Sequence, residues 1–161
     1  MTRTLLAATL LLSLAAPAVA GGAAAPVTQV QPGTPAAVMA ALKAAGYRVT
    51  MEPAQADRDP TMTFTSGGHE VQVWLSGCKN GVCSRATAST SWDYSDAEDL
   101  DLDVVNEWNS NYYTQAYAYE GSYYLDSTLA IRGGFTQATL KAWITDYLDD
   151  VSAFEDELPG E

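Results

Sequence analysis

Met62-Thr63-Phe64-Thr65-Ser66-Gly67-Gly68-His69-Glu70-Val71-Gln72-Val73 decides the fold. Apolar and polar residues alternate on both sides of Gly67-Gly68, and a diglycine is a two-residue hairpin signal because mirror-type turns demand positive φ. Set by that turn, the register places Phe64 opposite Val71 and Met62 opposite Val73, with Thr65 opposite Glu70 and Thr63 opposite Gln72. One face of the pair is apolar and the other polar. A slip of one residue would mix the two, so the pattern predicts an antiparallel sheet covered on one side.

Working downstream, Cys78-Lys79-Asn80-Gly81-Val82-Cys83 is a second turn with Asn-Gly at its centre and the cysteines facing each other. It places Ala86 beside Leu75 and Ala88 beside Val73 on the apolar face, and Thr87 beside Trp74 on the other. Ser95-Asp96-Ala97-Glu98 then reads as a capping box opening a second helix, on which Leu100, Val104 and Trp108 form a narrow apolar stripe. A hairpin around Glu120-Gly121 follows. Its register pairs Ala118 with Tyr123, Ala116 with Leu125 and Tyr112 with Leu129 on the covered face. Tyr117 with Tyr124, Gln115 with Asp126 and Tyr113 with Thr128 fall on the open one. Gly133-Gly134 breaks that strand, and Thr136 caps a last helix carrying Leu140, Trp143, Ile144, Tyr147, Leu148, Val151 and Phe154 at helical spacing. Glu155 to Glu161 is expected to fray.

Upstream, Thr34-Pro35 is an N-cap followed by proline at the first helical position, and Gly46 stops a helix of about 35–45. Tyr47 to Met51 suits a short strand, and Pro53 to Pro60 is a polar connection. The predicted class is α+β, an antiparallel sheet packed on one face by helices, in the order α-β-β-β-β-α-β-β-α.

The first twenty residues predict a secretory signal, residues 1–20: Arg3, an apolar run from Leu5 to Leu14 too short to span a bilayer, then Ala18-Val19-Ala20 before Gly21. Residues 21–33 lack periodicity and are expected to form a flexible leader, leaving 34–158 as one α+β domain. The whole chain carries a net charge of −12, and loss of Arg3 with the signal makes it −13. Such a charge opposes nucleic acid and anionic membrane, so neither is an expected partner after signal cleavage. A periplasmic or secreted location follows. In an oxidising compartment the only two cysteines, Cys78 and Cys83, are expected to be bridged.

The sequence also resembles the YbjN family of bacterial proteins, described as sensory transduction regulators. The resemblance is carried by Ala41-Leu42 to Gly46-Tyr47, the Asp59-Pro60 start, Val105-Asn106-Glu107-Trp108-Asn109, the hairpin from Tyr117 to Leu129, and Gly133-Gly134, within residues 34–158. It implies a fold like that of type III secretion chaperones and brings no catalytic residues to carry over. A signal sequence departs from the cytosolic members of that family.

Several chemistries can be weighed against the residues. Asp99, Asp101 and Asp103 alternate as in the start of an EF-hand loop, but the sixth position is Val104 rather than glycine and the twelfth is Ser110 rather than glutamate. Neither a metal site nor a cofactor is expected. No nucleophile elbow or phosphate loop accompanies the single His69, so no catalytic residue is expected either. Trp108, with Asn106 and Asn109, is expected to anchor the second helix and shape its exit. On the open sheet face Trp74, Tyr113, Tyr117 and Tyr124 stand among Thr and Gln. They either stabilise the sheet as cross-strand pairs, are buried in a homodimer, or receive a protein or peptide partner. A non-enzymatic exported partner-binding protein is the leading expectation; a small-ligand or metal-cation-binding envelope protein is the alternative.

Overall fold

The computed structural model describes residues 28–52, 54–55, 59–97 and 99–160. The predicted signal, residues 21–27 of the predicted leader, half of the Pro53–Pro60 connection and Glu98 lie outside them.

Helix α1 (Pro35–Ala44) starts where the Thr34 hydroxyl accepts the Ala37 amide at 3.3 Å, with proline supplying the first-turn φ. It ends in a Schellman motif: Gly46 takes φ 108°, its amide donates to Lys43, and the Tyr47 amide donates to Leu42. Tyr47 is therefore part of the helix stop and packs on Phe64 with ring centroids 4.5 Å apart. The strand expected from Tyr47 begins later, as β2 (Thr50–Glu52).

Strands β3 (Thr61–Ser66), β4 (His69–Ser76) and β5 (Arg85–Asp93) form the meander, with Phe64 opposite Val71, Met62 opposite Val73, Leu75 opposite Ala86 and Trp74 opposite Thr87, as the alternation predicts. Strands β6 (Gln115–Tyr119) and β7 (Ser122–Ala130) form the second hairpin, with Ala118 opposite Tyr123 and Tyr117 opposite Tyr124. Its turn puts both Glu120 (φ 46°) and Gly121 (φ 78°) in the left-handed region. The predicted register holds even though glutamate is a costly choice there.

The sheet is antiparallel in the order β2-β3-β4-β5-β7-β6. Its central seam, β5 against β7, joins the two hairpins and pairs Ser89 with Asp126 and Trp92 with Tyr123. Two further strands, β1 (Val30–Gln31) and β8 (Phe135–Thr136), pair in a separate ribbon. The end of the predicted leader is thus tied down. Gly134 makes the tie possible, because a Cβ there would meet the Gln31 carbonyl oxygen at 2.6 Å.

Helix α3 (Gln137–Glu157), capped by Thr136 accepting the Thr139 amide at 3.0 Å, lays Leu140, Ile144, Tyr147, Val151 and Phe154 on the covered side of the sheet. Phe154 is completely buried and meets Trp92, Trp108 and Tyr123 edge-on. Each such ring contributes about 1.5–3 kcal/mol by burial alone. The Tyr147 hydroxyl donates to the Leu125 carbonyl and accepts from the Thr90 hydroxyl, and the Trp143 indole N–H donates to Ser127, so most polar tips on this side are satisfied from the sheet.

Helix α2 (Leu102–Asn111) departs from expectation at its start. Its cap is Asp101, whose carboxylate accepts the Asp103 amide at 2.9 Å; Ser95 instead donates its amide to Asp93 in a preceding turn. The buried Tyr123 hydroxyl accepts the Asp101 amide at 2.6 Å and donates to the Asp101 carbonyl at 3.2 Å, which holds this segment extended up to Asp101. Consequently Leu100 precedes the helix, and its buried residues are Val105 and Trp108.

Helix α2 also runs on to Asn111, which removes Tyr112 and Tyr113 from the hairpin. Tyr112 stacks on Trp108, centroids 3.7 Å apart and planes within 5°, rather than pairing with Leu129. Tyr113 is fully exposed and does not pair with Thr128. Thr114 occupies the buried position between them and the strand, accepting the Trp108 indole N–H at 3.0 Å and donating to Asp150 at 3.0 Å.

Candidate functional site

Successive side chains of a strand point to opposite faces, so the residues between the core positions line the sheet's other side. Along β4 these are Glu70, Gln72 and Trp74; along β5 Thr87, Ser89 and Ser91; along β6 and β7 Gln115, Tyr117, Tyr124 and Asp126. All three helices contribute their buried residues to the core on the opposite side. The open face holds a depression of about 410 Å³ whose walls include Trp74, Gln72, Ser89, Ser91, Tyr117 and Tyr124.

Tyr117 and Tyr124 stack as a cross-strand pair, centroids 5.0 Å apart and planes within 5°. Trp74 stands between Thr61 and Thr87, and Thr87 shares a 2.9 Å hydroxyl contact with Thr128. Three of the four aromatic residues expected on this face are therefore there: Trp74, Tyr117 and Tyr124. Tyr113 is not, because the helix carries it past the strand.

On the same face, one strand in from the β6 edge, lies Asp126, which the pairing pattern placed opposite Gln115 without revealing its burial. Burial pushes its carboxyl above the usual carboxylate range, against the hydroxyls of Ser89 and Tyr117, which hydrogen-bond it and pull the other way. Its Oδ1 is buried and has no hydrogen-bond partner among the described residues. Burial, followed by the nearby Asp126 charge, pushes the Tyr117 phenol up to about 12. The only trace of this in the sequence is an acid in a strand otherwise made of Tyr, Leu, Ser, Thr and Ala.

The residues expected to anchor the second helix have separate tasks. Trp108 is buried beneath α3 and fixed through Thr114. The Asn109 side chain donates to the Ala116 carbonyl at 2.9 Å and accepts the Ala116 amide at 2.8 Å. It stands where a neighbouring strand would stand and closes part of the β6 edge. Asn111 donates to the Glu107 carbonyl at 2.9 Å, while Asn106 is exposed with its carbonyl accepting the Ser110 hydroxyl.

Cys78 and Cys83 are disulfide-bonded across their turn. The Cys83 amide donates to Gly33 at 2.7 Å, which ties the bridge to the segment entering α1. Asp93, Asp96, Asp99 and Asp101 line a second depression, of about 730 Å³, before α2. Among the described residues no group of three or more His, Cys, Asp or Glu side chains is placed to hold a metal ion. His69 pairs with Glu155 at 3.2 Å and packs beside Trp92, linking the first hairpin to the end of α3. No helix among the described residues is long and apolar enough to cross a membrane.

No curated protein matches the chain. A family model does, that of YbjN, described as "Putative bacterial sensory transduction regulator", over residues 34–159. That span takes in α1, the whole six-stranded sheet, the Trp108–Asn109 helix end and α3, and the chain belongs to the YbjN family.

Proposed function

We propose that this chain is an exported, non-enzymatic bacterial protein that binds a protein or peptide partner through the open face of its sheet. The observation that carries this reading is the aromatic depression opposite the helices, walled by Trp74 and the stacked Tyr117–Tyr124 pair. Large rings order at little rotamer cost and bring a polar tip, which suits an interface centre. The family's description as a regulator names no reaction and agrees with a binding role. Export is supported by the signal-like pattern of residues 1–20, and the Cys78–Cys83 bridge suits an oxidising compartment.

Capture from a periplasmic extract by the intact chain, compared with Trp74→Ala and Tyr117→Ala, tests the reading. A protein retained by the parent and lost by both variants, each with a near-parental melting temperature, supports it. Equal capture by parent and variants sinks it. A native mass of twice the chain that reverts to monomer in both variants would assign the same face to a homodimer instead.

A further inference from the structure

Each face holds one buried polar atom without a partner among the described residues, the neutral Trp92 indole nitrogen on the covered side and a carboxylate oxygen of Asp126 on the open one, and only the second can carry a charge. A buried carboxylate ordinarily requires a base or a full set of donors, because its desolvation otherwise costs several kcal/mol. The hydroxyls of Ser89 and Tyr117 bond the Asp126 carboxyl, while its Oδ1 is buried with no partner among the described residues. Arg85 lies on the same face by register, but its position opposite Ala130 is four residues along β7 from Asp126, and His69, in the wall of the depression, is paired with Glu155. Glu70, one of the other charged residues on this face, is also acidic and forms part of the wall of the depression. Parallel stacking of Tyr117 on Tyr124 leaves the outer ring surface as a negative π-face, which attracts cations.

We propose that the partner segment taken by this face is basic, with one lysine or arginine side chain lying over the Tyr117–Tyr124 pair and its charge set against Asp126. This rests on the partner-binding reading above and names the chemistry of that partner. Charge complementarity selects it: a chain of net charge −12 presents Glu70 in the wall of the depression and the Asp126 carboxyl against the Tyr117 hydroxyl, and a basic side chain over the ring pair offsets that charge without reaching the buried Oδ1. A second copy of the chain is the poorer occupant, because two-fold packing of this face on itself would bring together two surfaces that both carry Asp126 and Glu70.

The test uses three blocked pentapeptides, identical except for lysine, norleucine or glutamate at the centre, titrated calorimetrically against the intact chain. The lysine peptide should bind about tenfold more tightly than the norleucine peptide, the glutamate peptide least. Asp126→Asn should erase the lysine advantage while Glu107→Gln, on exposed helix α2, should leave it intact. An equal loss in both variants would reduce the effect to overall charge and overturn the proposal. Equal binding of lysine and norleucine peptides, with both lost in Tyr117→Ala, would overturn basic selection while leaving the face a binding site. Binding unaffected by Tyr117→Ala, or no binding to any of the three at about 1 mM, would overturn both readings. Melting temperature separates binding from folding, since removal of an unpaired buried charge should not lower it.

Discussion

The two faces of the six-stranded sheet are built from alternate residues of the same strands, yet they treat polar groups differently. On the covered side Tyr147, Trp143 and Tyr123 carry their polar tips to Thr90, Leu125, Ser127 and Asp101, and the Trp92 indole N–H has no partner among the described residues. On the open side Thr87 and Thr128 pair, whereas Asp126 keeps an unpartnered oxygen beside half-buried rings. A surface needed only for solubility would place that acid where water could reach it. The contrast teaches that the covered face is organised for stability and that the open face tolerates a local cost.

The largest expected effect lies on the covered side. Trp108→Ala removes a buried ring that meets Phe154 and bonds Thr114, and should cost about 3–5 kcal/mol in chemical denaturation. A near-parental midpoint would show that the indole contributes little and would blur the distinction between the faces.

Next comes the sheet edge. Asn109→Ala leaves the amide and carbonyl of Ala116 without their side-chain partner and should cost about 1–3 kcal/mol, with faster hydrogen exchange at Ala116. Asn109→Asp offers only acceptors and should fail to restore the parental value. Unchanged exchange at Ala116 in the alanine variant would remove Asn109 from the role of a strand substitute.

The smallest effect concerns the open face, and its sign is its content. Because burial raises the Asp126 pKa in the folded state, the stability linked to its protonation is fully present below the unfolded pKa and is lost as pH rises through the folded one. Asp126→Asn should therefore match the parent near about pH 3 and melt slightly higher near about pH 7, by under about 1 kcal/mol after solvent screening. A gap that shrinks with rising pH would show the carboxylate to be a stabilising partner and would erase the contrast between the faces.

The hairpin registers around Gly67-Gly68, across Cys78–Cys83 and around Glu120-Gly121 were legible because a period of two and a short turn determine which side chains share a face. The Thr34 and Thr136 caps were legible for the same reason, since cap and partner lie within one helical turn. The capping box at Ser95 read equally well and is not used. There the bond from buried Tyr123 to Asp101, 22 residues apart, outcompetes a local motif.

The sequence by itself thus determined the class, the strand pairs within each hairpin, the identity of the apolar face and, through its motifs, the family. Only the tertiary structure decided that β5 lies against β7, that Tyr112 and Tyr113 belong to the helix exit, and that Asp126 sits half-buried with one oxygen lacking a hydrogen-bond partner among the described residues. The physical reason is reach. Alternation, turns and caps act over a few residues, whereas the pairing of Ser89 with Asp126 and the stacking of Tyr112 on Trp108 depend on where whole elements come to rest.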